Sequence, residues 1–197
     1  MGFQSFAILR FLHVLIAVFM AAPLYLLIIA NERGRLGPPL NYRVERYMEN
    51  IIKKQPNRCY VYLAVLLLSG VMLMNVKGIG IGALLSNSFL AIKTGLVVVL
   101  FGLITYVHTQ IQPRLEELIS TIPEDGAVGK EVASEIGALR LKRKKIGTVC
   151  LFLVIATITF VVSLTTGLTS MTVAIILLLA ALFSWRVYSS VIPLGLA

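Results

Sequence analysis

The chain is predicted to be an all-α integral membrane protein, a single bundle of five transmembrane helices spanning residues 1–197. Three observations predict this. Hydrophobic residues make up 58% of the sequence and charged residues 14%, with a mean hydropathy of +0.90; a soluble domain carries nearly twice that charge. Five apolar segments are each close to the ~20 residues that cross a ~30 Å hydrocarbon layer as a helix. The basic residues are gathered into two of the connecting stretches. Strict alternation over about 10 residues, which a membrane β-barrel requires, is missing.

The spans are placed at 6–30, 59–76, 89–112, 146–167 and 171–190. Arg10 and His13 interrupt the first apolar run, which has no basic leading region and continues to Ala30. It is therefore read as a retained helix and not as a secretory signal. Loop 31–58 holds Arg33, Arg35, Arg43, Arg46, Lys53, Lys54 and Arg58. Loop 113–145 holds Arg114, Lys130, Arg140, Lys142, Arg143, Lys144 and Lys145, whereas the loops on the other side hold only Lys77. This asymmetry places both long loops and the C-terminus in the cytoplasm and the N-terminus outside. A prokaryotic cytoplasmic membrane suits that arrangement. Tyr60, Tyr62, Tyr106, Trp185 and Tyr188 fall at the cytoplasmic helix ends, where amphipathic rings favour the headgroup layer.

The expected partners are the bilayer itself, anionic lipid at the cytoplasmic face through LRLKRKK (139–145), and other membrane subunits or a second copy. Nucleic acid is not expected, because the basic residues flank membrane spans. Val132–Lys145 reads as an amphipathic helix entering the fourth span, after a turn at PEDG (123–126). Only 168–170 join the last two spans, which predicts a tight antiparallel hairpin. The GxG pattern in 76–88 follows no strand and is read as a connector.

Chemistry has few possible carriers. All nine acidic residues lie in the two basic loops, so no span holds the carboxylate of a proton relay. The ionisable residues inside spans are Arg10 and His13 in the first, Lys93 and His108 in the third, and Arg186 in the fifth. Counted from the outer end, His13 lies ~10 Å deep, Lys93 ~6 Å and His108 ~28 Å. His13 and Lys93 should therefore meet, and the two histidines should not share one haem. Met72 and Met74, in the last turns of the second span, come to about the depth of His13. A His/Met pair suits a haem iron, and the same soft donors suit copper. Arg10 sits one turn outside His13 on the same face and could pair with a haem propionate. Leu96, Val97, Leu100 and Ile104 share the stripe of Lys93 and His108. Gly95 and Gly102 fall on the opposite face, where they predict a close helix contact. Cys59 and Cys150 are read as packing residues; together with His108 they are also a conceivable set of metal donors.

RFLHVLIAVFMAAPLYLL (10–27) and AIKTGLVVVLFGLITYVH (91–108) resemble the membrane superfamily of HemJ-type protoporphyrinogen oxidases and CopD-like proteins. In that family Trp and Gly usually follow the histidine, where this chain has Phe19, Ala21, Ala22 and Pro23. The resemblance implies haem b, with His13 as metal ligand and Lys93 in support. The expected function is electron transfer or porphyrin oxidation near the outer leaflet. The alternatives are a non-catalytic subunit of a larger energy-converting or oxygenase complex, and a copper-handling protein using His13, Met72 and Met74.

Overall fold

A computed structural model describes residues 3–35, 40–123 and 128–189. Among these residues the chain is helical throughout, with five helical stretches long and apolar enough to cross a membrane. The elements are α1 (Phe3–Phe19), α2 (Ala21–Asn31), a 3-10 turn (Glu32–Arg35), α3 (Tyr42–Lys53), α4 (Gln55–Val76), α5 (Ala83–Ser86) and α6 (Ser88–Tyr106). A π-turn (Val107–Ile111), α7 (Gln112–Ser120), α8 (Lys130–Thr166) and α9 (Ser170–Ser189) follow.

Prolines account for several of the element boundaries. The sequence alone predicts one unbroken first span over 6–30, but the structure divides it at Met20. Pro23 has no N–H for the carbonyl of Phe19, and its ring crowds that carbonyl. Pro56 stands in the first turn of α4, where a missing N–H costs nothing, and α3 ends just before it at Lys53. Pro113 removes the partner of the Thr109 carbonyl, and the helix there widens into the π-turn.

Helix α8 has 37 residues and is therefore about 55 Å long, more than a bilayer core requires. Its N-terminal part includes the predicted amphipathic helix and continues into the fourth span without a break. Gly167, at φ +68°, stops α8 in the left-handed conformation, and α9 returns along it as the expected hairpin. Of the PEDG turn, only Pro123 lies within the described residues.

The central core joins α2, α4, α6 and α8 through Leu24, Leu63, Leu100, Ile104 and Val154. The predicted stripe of α6 thus faces inward. α9 lies outside this core, touching α2 and α8 through Val187, Ile28 and Leu151. Its other face carries Leu178, Leu179 and Leu182, each more than half exposed, as a helix in lipid should. Close approach occurs between α2 and α8, where a Cβ on Gly147 would lie 2.7 Å from Leu27 Cδ2. It does not occur at Gly95 or Gly102, which meet nothing within 4 Å. Among the described residues the expected helix contact is not made there, because those glycines sit on the face of α6 turned away from the core.

The two basic stretches are structured elements. α7 packs on the start of α8 through Leu115, Leu118, Ile119 and Ile136. Buried ion pairs then tie the surrounding elements to α8. Arg143 donates to both carboxylate oxygens of Glu49, at 2.7 and 3.0 Å, to Gln112 Oε1 at 2.6 Å and to Asn31 Oδ1 at 2.9 Å. Arg140 pairs with Glu45, which also meets Arg33, and Lys144 pairs with Glu32. Arg140, Arg143 and Lys144 are at most 1% exposed, so three of the basic residues expected to meet anionic lipid are turned inward instead. Desolvating a charge is tolerable only beside a counter-charge, and Glu32, Glu45 and Glu49 supply it. Lys142 and Lys145 remain exposed.

Candidate functional site

At the opposite end of the bundle, α1, α4, α6 and α8 do not close on one another. They enclose a cavity of about 300 Å³, at the lower end of the range for small-molecule sites. Its walls are almost entirely apolar. The exceptions are Arg10 and His13 from α1, Lys77 just after α4, and Lys93 and Thr94 from α6, with Thr157 of α8.

His13 is the best-ordered of these side chains chemically. It is 6% exposed, and both ring nitrogens have partners. Nδ1 lies 2.7 Å from Ser69 Oγ, and Nε2 lies 2.9 Å from Lys93 Nζ. Ser69 has a single hydroxyl proton and donates it to the backbone carbonyl of Val65 at 2.6 Å, or to that of Leu66 at 3.2 Å. It can therefore only accept from the imidazole. This fixes the tautomer, with the proton on Nδ1 and a lone pair on Nε2 that accepts from Lys93. Gly70 follows Ser69 on α4 and lies beside the ring, where a Cβ would stand in ordinary contact, 3.5 Å from His13 Cε1.

The depth argument from sequence thus corresponds to a direct hydrogen bond between His13 and Lys93. Lys93 turns inward to that ring and does not reach out to the surface. Arg10 lines the cavity at its exposed rim, one turn before His13. The two methionines part company. Met74 is 8% exposed and lines the cavity, whereas Met72 is 47% exposed and does not. Residues two apart on a helix point about 200° from each other, so both could not face His13. Met72 is therefore removed from the expected donor set, and with it one of the three donors of the copper reading.

His108 stands in the π-turn with its ring 5.7 Å from that of Tyr60. Tyr60 precedes Ser69 by nine residues on α4, so the two histidines sit about 14 Å apart along that helix. Cys59 and Cys150 share the central core, and no group of three metal-binding side chains exists among the described residues. The conceivable donor set of Cys59, His108 and Cys150 is not assembled. Sequence reasoning missed Ser69, Lys77 and the buried acids Glu45 and Glu49. The spacing of Ser69 before Gly70 in an apolar span was the available signal for the first.

No family model, no curated protein and no solved structure matches this chain. What the cavity holds has to be read from its own chemistry. It presents an imidazole whose Nε2 lone pair is engaged by Lys93, an apolar chamber beside it, and cations at its rim. In such a set His13 is the residue that could hold a haem iron. Nε2 is the nitrogen that would take the iron, and Ser69 is the outer hydrogen-bond partner that orients it. Lys93 would have to leave Nε2, which its flexible four-carbon stem allows.

Proposed function

We propose that this multi-pass membrane protein binds one b-type haem in the cavity, near the outer leaflet, and serves electron transfer or porphyrin oxidation. The observation that carries this reading is the buried imidazole of His13 in the cavity wall, with Ser69 on Nδ1 and Lys93, a flexible side chain of the same wall, on Nε2. His13 and Met74, the buried thioether of the same chamber, would hold the iron. Haem iron, when bound, supplies a one-electron couple whose potential a thioether ligand raises.

The chain's own groups do the rest. Arg10 and Lys77 would pair with the propionates at the rim. Leu66, Val97, Leu100 and Val154, which line the cavity, would keep water from a bound haem. Lys93, released from Nε2, keeps a donor beside the ring for an anion or a carbonyl. The test is an optical spectrum of the protein purified in mild detergent and supplied with haem. A Soret band is expected, and His13→Ala should abolish it. A Soret band of full intensity in His13→Ala, or failure of the parent to take up haem, would overturn the assignment.

A further inference from the structure

The cavity has a charge problem that the iron does not solve. Arg10, Lys77 and Lys93 all line it, and no Asp or Glu does. Every ion pair among the described residues lies in the basic loops and helices at the other end of the bundle. Lys93 has a neutral imidazole for its partner, and Lys77 stacks 5.6 Å over the ring of Phe6. Positive charge held at membrane depth without a counter-charge is costly unless an anion joins it.

The shape says where the rest of such an anion would go. From Arg10 the wall runs along α1 through Val14 and Ala17 to Met20, ten residues or about 15 Å, and becomes wholly apolar. Its floor is Met20, Leu100 and Val154, each at most 3% exposed. The wall also has an open side. Leu67 and Val71 of α4 and Val162 of α8 line the cavity, yet are 53%, 37% and 36% exposed. All three are apolar and lie within membrane spans, so the opening faces lipid.

We infer that this cavity is a binding site for a single-chain apolar carboxylate that enters sideways from the bilayer. Its head group rests among Arg10, Lys77 and Lys93, and its chain lies toward Met20. Arg10 offers the two parallel N–H groups that a carboxylate accepts, and Lys93 keeps N–H donors beyond the one given to His13. The inference shares its site with the haem reading and does not require the iron.

The experiment uses the full chain in lipid nanodiscs, free of haem, with hexadecanoate, hexadecanol and shorter saturated carboxylates as probes. Hexadecanoate should bind saturably and about ten-fold or more tighter than hexadecanol, the worth of charge-assisted hydrogen bonds. Acids longer than the roughly 15 Å from Arg10 to Met20 should bind no tighter than ones that just fill it. Arg10→Gln with Lys77→Gln should narrow the preference for acid over alcohol several-fold, with Lys93 left to hold the remainder. Equal affinity of acid and alcohol for the parent protein would overturn the inference, and that comparison needs no variant. A colourless protein that still prefers the acid would sink the haem reading and leave this one standing.

Discussion

At the residue scale, Ser69 decides what His13 can do. Ser69 Oγ is the partner of the Nδ1 proton, and losing it leaves a buried donor unsatisfied at about 1–3 kcal/mol. Ser69→Ala should therefore weaken haem binding about 10–100-fold, as removal of an orienting partner does for metal-bound histidines. Ser69→Thr, which keeps the hydroxyl, should stay near the parent. A haem titration of the three proteins measures this, and indistinguishable affinities would disprove the orienting role. The methionines give a second contrast. Met74→Leu should alter the spectrum and lower the reduction potential, while Met72→Leu, on the lipid-facing side of α4, should change neither. His13 and Lys93 were legible in the sequence because ionisable groups are rare in spans and helix rise fixes their depth. Ser69 was not, because a serine in a span more often bonds only its own helix, and it does that here as well.

At the element scale, small residues and prolines set how the helices meet. Gly147 lets α8 lie against Leu27 and Ile28 of α2. Gly147→Leu would force the two helices apart, with an expected loss of about 1–3 kcal/mol from overpacking. Gly102→Leu, on the open face of α6, should cost the isolated chain little. Thermal unfolding of both variants in one detergent makes the comparison. The glycines could be found in the sequence but not sorted, since α6 has two opposite stripes able to face a partner and hydropathy does not rank them. The same holds for the prolines. Pro23 was visible inside the first span, but its consequence depends on the carbonyl of Phe19, four residues back, and appears as the division at Met20.

At the scale of the whole molecule, the two ends of the bundle use charge in opposite ways. The basic end pairs nearly every buried charge, and Arg143 alone joins α2, α3 and the start of α7 to α8. Arg143→Met should strip four hydrogen bonds from that junction and leave Glu49 buried and uncompensated, costing about 3–5 kcal/mol. Adding Glu49→Leu should recover part of the loss, because the stranded carboxylate goes as well. Detergent-solubilised yield and melting temperature report both, and a double variant worse than the single would contradict the account. The cavity end holds cations without carboxylates, which is why ligands are sought there and not at the basic end.

The sequence by itself determined that this chain crosses a membrane five times as helices, because length and hydropathy are properties of each segment alone. It also determined that His13 and Lys93 come to one depth, because helix rise is the same everywhere. Tertiary structure alone decided which way side chains face. That choice depends on neighbours distant in the sequence: Glu45 and Glu49 draw Arg140 and Arg143 inward from a stretch that reads as lipid-facing. At the other end, Ser69 and Lys93 hold one histidine between them at the head of an apolar chamber.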